Sequence, residues 1–251
     1  MKHKINPLRH HIEFRTDNIL HITIETDRLL IHSITPENEQ DCVALLADPV
    51  VMQKYATGVV YEEQRAKERM SIWTTRWARH DPFSAYVVTE KDSSTFVGIA
   101  VIGQSAKGES EVACAEHCEF WNKGYGREAT EAVFQSLIPR LMLRGYTVEH
   151  APLKNLVATA RLDNPASQHM LRGVGFKEEG EIQKFGAPRK LFSLSARQLK
   201  NEYHRFFAQR SQRAHEETDR RSIEEGVDIT AEEMADSAFG RGSYTARRVN
   251  S

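Results

Sequence analysis

Short runs of alternating apolar and polar residues interleave along this chain with longer runs of helical period. Arg28 to Ser33 alternates as a strand, and Thr35-Pro36 behind it has the form of an N-cap followed by proline at the first helical position, predicting a helix through about Ala47. Tyr61 to His80 keeps a helical period, with Ile72, Trp73 and Trp77 on one side and charges opposite. Phe83 to Glu90 and Thr95 to Gly103, rich in Val, Ile and aromatics and separated by Lys91-Asp92-Ser93-Ser94, predict a β-hairpin that Glu111 to Ala115 extends into a meander. Arg127 to Arg144 carries Ala129, Val133, Leu137 and Leu141 at four-residue spacing, a helix that Pro139 should kink in its last turn. Val157 to Leu162 then reads as a strand, Asn164 to Arg172 as a short helix, and Phe176 to Ile182 and Lys190 to Leu194 as closing strands.

This order predicts an α+β fold: a largely antiparallel sheet containing one parallel pair, with helices on both faces. Residues 1–21, with His3, His10 and His11, read as a polar lead-in, and residues 22–196 as the folded domain. Residues 197–251 form an extension that opens with an amphipathic stripe of Leu199, Tyr203, Phe206 and Phe207 and is expected to be weakly structured beyond about Ser211. Ten Arg plus Lys meet ten Asp plus Glu in residues 196–251, so the tail is a solvated polyampholyte and no nucleic-acid arm.

Over 251 residues, long enough to bury a core without staples, 34 Lys plus Arg nearly cancel 35 Asp plus Glu, so no overall field recommends nucleic acid or a membrane as partner. The start lacks the apolar region of a signal peptide and no segment approaches the ~20 apolar residues of a membrane span, so a cytoplasmic protein is expected. Cys42, Cys114 and Cys118 make an odd count without a C-x-x-C, and reduced thiols are expected.

The candidate chemistry lies in Trp121-Asn122-Lys123-Gly124-Tyr125-Gly126-Arg127-Glu128-Ala129. Glycines between a strand and a helical run leave backbone N–H groups open, and the positive end of the following helix favours an anion such as a pyrophosphate. Gly124-x-Gly126-x-x-Ala129 also satisfies a dinucleotide fingerprint, with Glu149 twenty residues beyond Ala129. There, however, the first glycine closes a buried strand directly, whereas here Glu116 to Lys123 intervenes. No P-loop spacing occurs anywhere in the chain.

With Asn164-Pro165-Ala166-Ser167 and Gly175-Phe176 following in order, the chain resembles the GCN5-related N-acetyltransferase superfamily, and within it the group that acetylates ribosomal-protein N-termini. The likeness covers roughly residues 22–196. Glu25-Thr26-Asp27-Arg28-Leu29-Leu30 is similar to the group's opening strand, Phe96-Val97-Gly98-Ile99-Ala100 to its third, and Trp121 to Ala129 to its Trp-Gly-Lys-Gly-Tyr-Ala-Thr-Glu-Ala. Here Asn122 stands for Gly, Gly126 for Ala and Arg127 for Thr.

The resemblance implies a sheet splayed between its two parallel strands, with acetyl-CoA in the V between the Glu111 to Ala115 and Val157 to Leu162 strands. Its pyrophosphate would meet amides from Asn122 to Arg127, with Lys123 and Arg127 as side-chain partners, in a cradle shaped by Trp121, Gly124, Tyr125 and Gly126. Its pantetheine amides would lie against Cys114 and Glu116. An N–H near Cys114 or Ala115 would face the developing oxyanion, Ser167 would supply a proton to the departing thiolate, and Asn164 would hold the cofactor or a water. Both residues also suit helix capping. Glu111 is the first choice to deprotonate the amine, with Glu116, His117 and Glu119 as rivals. Cys114, His117 and Cys118 lack a fourth ligand nearby, and no metal is expected.

The expected activity is acetyl transfer from acetyl-CoA to a primary amine, a protein N-terminus or a small molecule. The alternative is a non-catalytic acyl-CoA-binding or interaction module on the same scaffold. A homodimer is compatible with the sequence.

Overall fold

The computed structural model describes residues 10–225. The chain divides into two units, Met1–Tyr203 and His204–Ser251.

The first unit is built on a nine-stranded sheet. β1 (His11–Thr16), β2 (Leu20–Glu25), β3 (Leu29–Ser33), β4 (Ala85–Glu90), β5 (Phe96–Ala106) and β6 (Glu109–Glu116) follow one another as an antiparallel meander. A small ribbon, β7 (Thr147–Val148) with β8 (Ala151–Pro152), stands apart. β9 (Asn155–Arg161) lies parallel to β6, and β11 (Ala187–Ser195) and then β10 (Lys177–Lys184) complete the far edge in antiparallel pairing. The expected mostly antiparallel sheet with a single parallel pair is therefore present. Ala85, Tyr86, Val87 and Val88 are buried in succession, which requires cover on both faces of the sheet centre.

The sheet starts earlier than expected. Residues 11–21, read as part of a polar lead-in, form β1 and the beginning of β2. Leu20, Ile22 and Ile24 are buried on one face while His21 and Thr23 take the other, and Ile12 and Phe14 pack against the core, so the alternation is real but masked by charged letters on the solvent side. His10 is itself buried, its Nδ1 2.8 Å from Ser136 Oγ.

The helices are α1 (Glu39–Ala47), α2 (Pro49–Met52), α3 (Glu63–Ala78), α4 (Tyr125–Thr130), α5 (Ile138–Leu143), α6 (Pro165–Gly173) and α7 (Ala196–Glu225). Trp73 and Trp77 of α3 are core residues, and Trp77 Nε1 donates to the Ala85 carbonyl at 3.0 Å. α4 and α5 are joined by a π-helical stretch, Glu131–Leu137, so the irregularity expected at Pro139 appears one to two turns earlier. Proline lacks an N–H and its ring crowds the carbonyl four residues back, and widening the preceding turns accommodates both.

α7 begins in the first unit, where Leu199 is buried, and its helical pattern continues beyond Ser211 to Glu225 because Arg, Gln, Glu and Ala dominate that stretch. The remainder of the tail expected to be weakly structured lies outside the described residues. No helix among the described residues is long and apolar enough to cross a membrane.

Candidate active site

β6 and β9 share three rungs, Glu109 with Asn155, Ser110 with Leu156 and Glu111 with Val157, and then part. Past Glu111, β6 stays with β5 as far as Glu116, while β9 stays with β11 as far as Arg161. This is the V expected from the resemblance. Gly98 helps hold β5 to its β6 side, since a Cβ there would stand 2.1 Å from the Ala115 carbonyl oxygen. Among the described residues the β6 edge that includes Cys114 and Glu116 has no strand partner on its β9 side.

The glycine segment follows the end of β6. Trp121 Nε1 donates to the Glu116 carbonyl at 2.9 Å, folding the loop back onto the strand. Asn122 at φ 62° and Gly124 at φ 82° both adopt the left-handed conformation, a backbone form that tends to turn neighbouring N–H groups toward a common side, at the entry to α4. Arg28, on the β2–β3 turn, braces the loop. Its Nη1 donates to the Lys123 carbonyl at 2.9 Å and its guanidinium lies 4.4 Å from the centre of the Tyr125 ring. The Tyr125 hydroxyl donates to Glu90, while Arg127 donates to Glu131 at 2.8 Å and Lys123 Nζ lies 5.3 Å from the Phe120 ring centre.

Glu116 closes the floor of this cradle. Gly126 donates its backbone N–H to the Glu116 carboxyl, and a Cβ on Gly126 would lie 3.0 Å from Oε1 and 3.2 Å from Oε2. The glycine that replaces the usual alanine is thus the residue that makes room for a carboxylate. Oε2 is buried and accepts no hydrogen bond among the described residues, and burial pushes the Glu116 pKa up to about 7 against the lowering effect of the Gly126 bond. Burial, reinforced by the Glu116 charge, likewise raises the Cys114 thiol well above its ordinary value, with Thr130 opposing, so Cys114 is no thiolate nucleophile.

Asn164 caps α6, its Oδ1 accepting from the Ser167 N–H at 3.1 Å. Ser167 is half-buried, and its hydroxyl has no hydrogen-bond partner among the described residues. Neither His117, packed edge-on against Phe96, nor the exposed Cys118 joins a metal-ligand cluster among those residues.

Glu111 sits at the last rung before the strands part and is engaged by a residue the sequence did not nominate. Lys184 Nζ lies 2.7 Å from each of its carboxylate oxygens. Tyr55 and Arg189, which also escaped sequence reading, lie close enough to Glu111 to feel its charge, and Arg189 faces Arg161 across the β9–β11 ladder. Burial raises the Tyr55 phenol well above its ordinary value, with Tyr61, Cys114 and Glu111 adding to the rise. The signal for Arg189 was hidden because a period-two reading groups it with Leu191 and Ser193, opposite the buried Phe192 and Leu194. Its burial comes from a distant loop: Nη1 donates to the Ala56 carbonyl at 2.8 Å.

Comparison with curated proteins gives no match to this sequence. Solved structures do share the fold. The ribosomal-protein-S5-alanine acetyltransferase from Vibrio fischeri aligns at 16% identity over 69% of this chain and 96% of its own, with a TM-score of 0.54. A GNAT-family acetyltransferase from Bacillus anthracis aligns at 17% identity, 70% and 99% coverage and TM-score 0.53. A spermidine N-acetyltransferase from Vibrio cholerae, solved with CoA and spermine, gives 17%, 68% and 97%, and 0.50. The profile of the acetyltransferase (GNAT) domain matches residues 28–177. That match spans more than half of the chain and includes the parting strands and the glycine cradle: the chain belongs to the GNAT acetyltransferases, which move an acetyl group from acetyl-CoA to an amine, and is an N-acetyltransferase.

Proposed function

We propose that this N-acetyltransferase binds acetyl-CoA in the V between β6 and β9 and acts on a protein N-terminal α-amine. The observation that carries the reading is the parting of β6 and β9 immediately past Glu111, followed by a loop with left-handed backbone at Asn122 and Gly124. In this reading the N–H groups from Asn122 to Arg127 receive the pyrophosphate, except that of Gly126, which the Glu116 carboxyl takes; Lys123 and Arg127 are side-chain partners, and Trp121, Gly124, Tyr125 and Gly126 fix the loop's shape. Backbone groups at Cys114 and Glu116 pair with the pantetheine, and Asn164 contacts the cofactor or a water. Bound acetyl-CoA supplies the activated acetyl thioester.

The chain's own residues then manage charge and protons. Glu111, at the apex of the V, takes the proton of the incoming amine, with Lys184 holding its carboxylate in place. An N–H at Cys114 or Ala115 faces the carbonyl oxygen as it gains negative charge. Ser167, whose hydroxyl is uncommitted among the described residues, gives a proton to the leaving thiolate. The similarity of Glu25–Leu30 and Trp121–Ala129 to the ribosomal-protein group supports a protein terminus as acceptor.

The test is CoA-thiol release from acetyl-CoA with N-terminal peptides, polyamines and aminoglycosides offered in parallel. Peptides should support release well above the blank, with mass spectrometry placing the acetyl group on the α-amine. Release driven only by polyamines or aminoglycosides would overturn the assigned acceptor.

A further inference from the structure

The β9–β11 arm of the V carries an unbalanced positive charge. Arg189 is only 4% exposed, and a guanidinium removed from water to that extent ordinarily lies against a carboxylate. Here it does not. Nε donates to Thr159 Oγ1 at 2.9 Å, Nη2 to the Thr159 carbonyl at 3.1 Å and Nη1 to the Ala56 carbonyl at 2.8 Å, all neutral acceptors.

The neighbouring carboxylates are already taken. Asp163 is shared by Lys54 at 2.8 Å and Arg161 at 3.1 Å, and Glu111 is held by Lys184. Two carboxylates among three cations leave Arg189 with no ion-pair partner among the described residues. Arg161 adds to the imbalance as the partner of Arg189 on the same rung of the β9–β11 ladder, and its Nη1 would stand 3.2 Å from a Cβ on Gly58. Burial lowers the Arg189 pKa and the Arg161 charge lowers it further, with Glu111 and Asp163 only partly compensating. Thr159 and Arg161 both lie on the part of β9 that has left β6, so this charge borders the opening of the V.

We propose that Arg189 and Arg161 recognise a carboxylate carried by the acceptor close to its amine, so that this enzyme acetylates acidic acceptors in preference to neutral or cationic ones. The inference rests on the acceptor reading above. A guanidinium pair is suited to a planar carboxylate through two parallel N–H···O bonds, and it repels a polyamine. The carboxylate can belong to an acidic side chain beside a peptide N-terminus or be the α-carboxylate of a free amino acid.

The experiment compares matched acceptors with the full chain. One pair is an N-terminal peptide with Asp at its second position and the same peptide with Asn there; the other is a free amino acid and its amide. A kcat/KM ratio of about tenfold or more in favour of the carboxylate in either pair is expected, carried mainly by KM and shrinking as salt is raised. The pair that shows it identifies the source of the carboxylate. Arg161→Gln, on a half-exposed side chain, should bring the ratio toward one while acetyl-CoA binding persists, and Arg189→Lys should lower it because the fork is lost. A ratio near one or below in both pairs, or a full ratio retained in Arg161→Gln, would overturn the inference and leave the N-terminal acceptor standing. Absence of transfer to any of these amines, with acetyl-CoA still bound, would overturn both.

Discussion

Glu128, in the first turn of α4, binds Arg28 on the β2–β3 turn with both carboxylate oxygens: Oε2 meets Nε at 2.7 Å and Oε1 accepts the Arg28 backbone N–H at 2.9 Å. Thr26 Oγ1 adds a third bond at 2.6 Å. The Arg28 guanidinium continues to the Lys123 carbonyl, so one brace ties a strand turn to the cradle loop. Removing it loosens the loop before any cofactor arrives. Arg28→Ala should weaken acetyl-CoA binding by about tenfold, or ~1.4 kcal/mol, and Arg28→Lys should fail to restore it because a point charge cannot make the forked contact. Calorimetric titration of each variant with acetyl-CoA reads this directly, and unchanged affinity in Arg28→Ala would show the loop to be set without the brace.

The same brace sets an acid sensitivity. Burial alone would raise the Glu128 pKa, yet the bonds from Thr26 and Arg28 outweigh it and hold the carboxyl below its ordinary value of 4.5. A depressed acid contributes stability that is present above its unfolded pKa and is lost as pH falls through the folded one. Below pH 4.5 the thermal midpoint of Glu128→Gln should therefore converge on that of the unmodified protein, whereas at neutral pH it should lie lower; parallel curves at all pH values would refute the assignment.

Glu116 has the opposite sign. Its carboxyl is raised to about 7 from an ordinary 4.5, so the folded protein holds a proton that the unfolded chain releases in that window. Stability tied to this group is fully present below about pH 4.5 and is lost as pH rises through 7. An ionised Glu116 would also repel the pyrophosphate proposed to lie against the neighbouring amides of the loop. Acetyl-CoA affinity should accordingly decline above pH 7, and Glu116→Gln should flatten that decline between pH 6 and pH 8. A decline of equal slope in both proteins would assign the pH dependence to other groups.

Gly126 and Glu116 are predicted to be energetically coupled. An alanine at 126 is ordinarily preferred in a helix by ~0.5–1 kcal/mol, but its Cβ would crowd the Glu116 carboxyl at 3.0 Å. Gly126→Ala should therefore destabilise the unmodified protein and stabilise a Glu116→Ala background, giving a coupling of about 1 kcal/mol in a double-mutant cycle by denaturant titration. Additive effects would mean that the glycine is not there to admit the carboxylate.

The sheet order was legible because each central element carried its own period: Leu29, Ile31 and Ser33 inward on β3, or Ala129, Val133 and Leu137 along the helix after the glycines. The parting of β6 from β9 was reached only through the resemblance, since no period distinguishes a paired strand from an unpaired one. Two kinds of feature stayed hidden. β1 was concealed by His11, Glu13 and Arg15, which face outward on an edge strand and make its pattern read as a polar lead. Arg189 and Lys184 were concealed because their meaning lies in partners far away in sequence: Ala56 for one, Glu111 for the other. The motif residues from Trp121 to Arg127 announced an anion, whereas the Glu116 carboxyl beneath them depends on a side-chain direction that only the folded chain fixes.

Asn164 and Ser167 are separable by mutation although one caps the other. Asn164 Oδ1 accepts the Ser167 backbone N–H, a bond that any residue at 167 except proline still offers, so Ser167→Ala leaves the cap intact and removes only the hydroxyl. That variant should keep its thermal midpoint and its acetyl-CoA affinity while kcat falls by about a hundredfold, within the range for loss of a general acid. Asn164→Ala should instead cost about 1 kcal/mol of stability through the lost cap. Leaving-group chemistry separates a proton donor from a merely well-placed hydroxyl. An acetyl thioester of a more acidic thiol needs less proton assistance, so the deficit of Ser167→Ala should shrink with such a donor. A deficit of the same size with both thioesters, or no deficit with acetyl-CoA, would remove Ser167 from the proton pathway and leave the cap as its function.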